Sequence, residues 1–122
     1  MANYQFITLT RADGLATLTS WTLGTTAGTN TVTATATGLT GSPVTFTATG
    51  TAGIAASIAA NSLTSQSATV GTAVAAPPSV VVRDANGNPV SGVSVTFAVT
   101  AGGGSISPTT AIATGANGIA TL

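Results

Sequence analysis

Few residues in this chain could do chemistry, and most of them lie in "DANGN", where Asp84, Asn86 and Asn88 alternate. A calcium loop begins with that spacing, because alternate side-chain oxygens converge on one hard cation. The sixth position of such a loop needs Gly and holds Pro89; the twelfth needs a bidentate Glu and holds Val95. The pattern therefore reads as a hairpin bend built on the turn chemistry of Asp, Asn and Gly. A second candidate is "AGGGS" at 101–105, whose glycines could cradle a phosphate. A cradle needs helix-terminal amides or a cation, and neither a helix nor a Lys follows, so this run reads as a loop between strands.

The remaining inventory excludes most catalysis. The charged side chains are Arg11, Asp13, Arg83 and Asp84, with no Lys, Glu, His or Cys in 122 residues. There is no imidazole base and no thiol nucleophile, and the two carboxylates lie far apart in the sequence. Zinc lacks its usual ligands, and a Lys–Asn isopeptide staple cannot form. The chain reads as a non-enzyme, with no catalytic, cofactor-binding or metal-binding residue expected and no cofactor. With no basic patch to meet phosphates, nucleic acid is not an expected partner. No apolar run approaches the roughly 18 residues of a membrane helix, and "MANYQFITLTR" lacks the build of a signal peptide. Disorder goes with low hydrophobicity and high net charge, whereas this chain is 43% hydrophobic with zero formal net charge.

The elements that would position these residues are strands. Period-two alternation recurs along the chain and helical stripes do not. "TNTVTATAT" places Val32, Ala34 and Ala36 on one face, with Thr31, Thr33, Thr35 and Thr37 on the other. "SPVTFTATG" places Val44, Phe46 and Ala48 inward, with Thr45, Thr47 and Thr49 outward, and "GLTGSP" joins the two runs as a hairpin. "PSVVVRD" offers Val80 and Val82 to a core, and "GVSVTFAVT" offers Val93, Val95, Phe97 and Val99. The alanine-rich stretch "IAASIAANSLTSQSATVGTAV" has no charged face and much Ser, Thr and Gly, so it reads as an irregular edge strand. From Gly14, Ala16 and Leu18 alternate inward, but Trp21 and Leu23 follow one residue late. A β-bulge near Thr19 and Ser20 would return both pairs to the core, and a strand that switches sheets would do the same. The expected core is Trp21, Leu23, Val32, Phe46, Val80, Val82, Val95 and Phe97.

"GLATLTSWTLGTTAGTNTVTATATGLTGSPVTFTATGTAG" and "VVVRDANGNPVSGVSVTFAVTAGGGSIS" together resemble the bacterial Ig-like repeats of the invasin/intimin type. The pieces that carry the resemblance best are "DANGNPVSGVSVTF" and "WTLGTTAGTNTVTA", and it covers the chain from about Thr8 onward. "MANYQF" matches poorly and is either an appended leader or a diverged strand. The resemblance implies an all-β fold, an Ig-like Greek-key β-sandwich of about seven strands, used as a rod segment in surface proteins and adhesins. It also implies a permuted order. Residues 1–53 would supply the late strands of one repeat and residues 54–122 the early strands of another, together one sandwich-equivalent.

The permutation shows as a duplicated seam. Residues 10–18, "TRADGLATL", lie on residues 114–122, "TGANGIATL", with six of nine positions identical. The chain would fold on itself as a circular permutant, or be a slice of a tandem array, or complete its sandwich with a neighbouring chain. The last arrangement is heterologous and need not close, which yields a filament.

The functional expectation is a structural module of a bacterial surface fibre, filament or adhesin stalk, extracellular or cell-surface, whose partners are copies of itself or neighbouring Ig-like repeats through strand complementation or head-to-tail contacts. The alternative is a binding module for carbohydrate, a receptor or an ice surface, using the threonine face or end loops. High β propensity explains the threonines without any ligand, and sheet twist works against a flat hydroxyl grid.

Overall fold

Thr and Val dominate the stretches that become strands, and Gly, Asn, Asp and Pro mark the breaks between them. The computed structural model describes residues 3–6 and 12–122. The fold is all-β, with eight short strands and no helix among the described residues. In order they are β1 (Asn3–Phe6), β2 (Gly28–Ala34), β3 (Val44–Gly50), β4 (Ala55–Ala60), β5 (Ser79–Asp84), β6 (Ser94–Val95), β7 (Ile112–Ala113) and β8 (Ile119–Thr121). The chain forms two compact units, Met1–Thr51 and Ala52–Leu122.

The first unit is one sheet in the order β1-β2-β3. β2 and β3 form the expected antiparallel hairpin. Its register sets Thr29 opposite Thr49, Thr31 opposite Thr47 and Thr33 opposite Thr45, while Asn30, Val32 and Ala34 face Ala48, Phe46 and Val44 on the other side. β1 joins the free flank of β2 in parallel, Asn3 opposite Thr31 through Phe6 opposite Ala34. Within the opening "MANYQF", "NYQF" therefore supplies a strand.

Two expectations fail in this unit. Residues 14–23 form no strand, so the expected bulge at Thr19 and Ser20 has no ladder to interrupt. Both flanks of β2 are taken by β1 and β3, and the segment instead borders the sheet face, anchored where Gly24 N–H donates to Asn30 Oδ1 at 3.0 Å. Residues 7–11, which include Arg11 and the start of the family resemblance, lie outside the described residues. The expected core is also only partly realised. Val32 is buried at 4% exposure, but Phe46 opposite it is 52% exposed, and Trp21 and Leu23 are half-buried. The side of the sheet is as expected; among the described residues of the unit no second layer covers Phe46.

The second unit has two sheets, β4-β5-β8 and β6-β7. β5 is central, antiparallel to both neighbours, with a register shift on the β4 side between Ala55 and Ser57. On the other side Ser79, Val80 and Val81 face Thr121, Ala120 and Ile119. The sheets meet through buried Val82, Val95 and Ala120, with Val80, Val90, Val93, Phe97 and Ile112 packed around them, which is the sandwich arrangement of an Ig-like fold. The run "GVSVTFAVT" is shorter than its alternation implied. Only Ser94 and Val95 pair, because their partner β7 is two residues long, and Val99 is left exposed. The alanine-rich stretch behaves as read: β4 is an outer strand exposed along its length, followed by irregular chain.

Candidate functional site

Asp84 ends β5 and gathers a cluster of N–H donors. Its Oδ1 accepts the N–H groups of Asn86 at 2.9 Å and Asn88 at 2.8 Å. Its Oδ2 accepts Gly53 N–H at 2.9 Å and the Asn88 side-chain amide at 3.0 Å. The backbone turns within this cluster, with Gly87 N–H donating to Asp84 O and Gly87 at φ +84°. Both carboxylate oxygens are thus engaged by N–H donors, and the group works as a clasp joining Gly53 to the bend. Asn86 and Asn88 belong to that bend, as their spacing implied.

Those donors favour the charged form. The Gly53 amide contributes most, then the Asn88 side chain, then the Asn88 and Asn86 amides, against burial that favours the neutral acid; the result lowers the Asp84 pKa from 3.8 to about 2. A depressed folded pKa adds stability above the unfolded value, near 3.8, and that stability is lost as pH falls through about 2. Urea midpoints measured across this window are therefore expected to fall with acid in the native chain, and to fall less in Asp84→Asn. Equal acid limbs in the two proteins would show that the clasp does not titrate with folding.

Asp13 belongs to the other unit and has a local role, its Oδ1 accepting Leu15 N–H at 3.1 Å. Residues 101–105, the glycine run, are exposed and carry no helix.

The first unit offers a different kind of site. The β2–β3 face that holds Val32 opens into a groove of about 730 Å³, lined by Leu18, Trp21, Val32, Leu39, Val44 and Phe46 among others. Leu39 is 66% exposed and Val44 is 49% exposed. The indole N–H of Trp21 is buried without an acceptor. Apolar surface of this sort, left in water, marks a place where something else packs. The opposite face carries the threonine rows; Thr31 and Thr33 are half-buried, and Thr29, Thr45, Thr47 and Thr49 are exposed.

Asn30 is the residue that sequence reasoning missed. It is 1% exposed, accepts from Gly24 N–H and donates to Gly28 O at 3.4 Å. Its parity was the available signal, since it alternates with Val32 and so lies on the inward face.

Residues 73–122 match the sequence model of the bacterial Ig-like domain (group 1). Over this stretch the chain is similar to a bacterial Ig-like domain. The matched stretch contains β5 through β8, the bend from Asp84 to Asn88 and the motif "DANGNPVSGVSVTF", while Gly53 and "WTLGTTAGTNTVTA" lie outside it. Ig-like domains of this group typically occur in bacterial surface or extracellular proteins, as structural or adhesion modules. No curated protein and no solved structure matches the chain. Among the described residues, no helix is long and apolar enough to cross a membrane.

Proposed function

We propose that the chain is a structural β-module of a bacterial surface fibre, filament or adhesin stalk, at the cell surface or outside it, and that it assembles head-to-tail with copies of itself or with adjacent repeats. The open groove of the first unit carries this reading. The second unit supports it with an open apolar surface of its own, a groove of about 400 Å³ where Ile58, 60% exposed, stands beside Val82, Val93 and Val95. Among the described residues, no charged side chain lines either groove, so a second copy is an occupant that meets matching chemistry there.

Light scattering and electron microscopy over a concentration series test the proposal. The expected result is elongated particles that grow with concentration and persist from low salt to about 1 M, because few charges are present to be screened. A monodisperse monomer at high concentration would refute it. The cross-strand threonine register favours a second reading, a binding module that presents its Thr face. A hit on a glycan array or in an ice-recrystallisation assay by a chain that stays monomeric would replace the fibre with that module.

A further inference from the structure

We propose that residues 12–18 of one molecule take the place of β8 beside β5 of the next, so that the joint between copies is an exchanged strand. The proposal rests on the self-assembly reading above and specifies its contact.

Sequence and local geometry agree on the exchange. "ADGLATL" at 12–18 and "ANGIATL" at 116–122 share five of seven residues. Asp13 Oδ1 accepts Leu15 N–H at 3.1 Å, and Asn117 Oδ1 accepts Ile119 N–H at the same distance. The glycines between them have φ +81° at Gly14 and +75° at Gly118. Both copies of the seam therefore enter their last four residues through the same side-chain-capped turn.

Their surroundings differ. The later copy is built into the sheet: Val82 N–H donates to Gly118 O at 2.8 Å, Leu122 N–H donates to Pro78 O at 3.0 Å, and Ala120 is 1% exposed. The earlier copy forms no strand, and Leu15 is 58% exposed. A segment with the sequence and entry turn of β8 thus stands in solvent with no ladder. In the slot, Ala16 would take the buried position of Ala120, with Leu15 for Ile119 and Leu18 for Leu122, swaps that keep volume and face.

Exchanging one strand for its near-copy is close to even in energy, so the driving force must come from the residues beyond Leu18. The incoming segment runs on to Trp21 and the open groove, which it would carry onto the second unit of its neighbour. Each molecule then has one donor segment and one slot, a heterologous contact that propagates in a line.

Glycine substitutions separate the exchange from self-assembly in general. A Cβ at Gly118 would lie 2.6 Å from Val82 O, whereas a Cβ at Gly14 meets nothing within 4 Å. Gly14→Ala therefore costs the free molecule only its backbone preference, but in the exchanged slot its methyl would strike the Val82 carbonyl. Gly102→Ala is the control, with φ +83° and equally open space. The expected result is that Gly14→Ala raises the concentration for half-assembly by about tenfold or more, while Gly102→Ala and the thermal melting of the dispersed chains change little.

Cross-linking reads the contact directly, because the chain contains no Cys. The bonds from Val82 and Leu122 leave Ser79 and Thr121 as a non-hydrogen-bonded pair, the closer kind, which suits a disulfide. Chains carrying Ser79→Cys, mixed with chains carrying Thr17→Cys and then oxidised, are expected to give a disulfide-linked heterodimer. If the native chain forms fibres but Gly14→Ala assembles equally well, or the mixed fibres give no heterodimer, the exchange is overturned and self-assembly stands. If the native chain never assembles, both fall.

Discussion

Replacing Gly118 by alanine is expected to destabilise the second unit by about 3–5 kcal/mol, the sum of left-handed backbone strain and overpacking against rigid atoms. Gly118 sits at φ +75°, and its missing Cβ would lie 2.6 Å from Val82 O, 2.9 Å from Pro89 Cβ and 3.1 Å from Pro89 Cα. Two of those three atoms are backbone and cannot rotate aside. Relief requires β8 to leave β5, which breaks the Val82 N–H to Gly118 O bond, or requires the turn to open, which breaks the Gly118 N–H to Gly115 O bond at 2.9 Å. Either way Ala120, in the buried cluster with Val82 and Val95, loses its position. Urea unfolding of Gly118→Ala is the measurement, and a loss below about 1 kcal/mol would mean the turn shifts freely, as surface sites do.

Asn30→Ala is expected to cost the first unit about 2–3 kcal/mol, since it removes a buried acceptor and leaves a void. Gly24 N–H would lose its 3.0 Å partner, and with it the residues leading back to Trp21 and Leu23 would lose their fixed point on β2. Trp21 is the only tryptophan in the chain, so its fluorescence reports the release without further labelling. Emission should shift to the red in the variant under native conditions, together with a lower urea midpoint. An unchanged spectrum would show that packing, and not Asn30, holds the segment.

Alternation made the faces of this protein legible but not their cover. The hairpin of β2 and β3 was readable because both runs alternate and a turn cluster joins them; Val32 and Phe46 do lie on one side, directly opposite each other. Whether that side is buried depends on a second layer, and period two says nothing about one, so Phe46 was misplaced as core. The same limit explains residues 14–23 and 96–100: alternation names the side a residue would take in a ladder, whereas pairing needs a neighbour with a free edge. Asp84, Asn86 and Asn88 were readable as a bend from local turn chemistry. The donor from Gly53, 31 residues away, was not, because a backbone N–H leaves no mark in the sequence. Asn30 was hidden by residue type, as a polar residue in an inward position looks like an exception until its partner is seen.

β4 bears on how thick any assembly could become. It is an outer strand of uncharged residues, "AASIAA", small apart from Ile58 and exposed from end to end, and an edge like that ordinarily invites sideways addition into ribbons. The register shift between Ala55 and Ser57 interrupts it near its start. A bulge bends the strand and throws its outward amides and carbonyls out of step, so a second edge cannot zip along the full row. Sideways addition at β4 is therefore penalised, and lateral contacts between copies would have to form at another edge, such as β3.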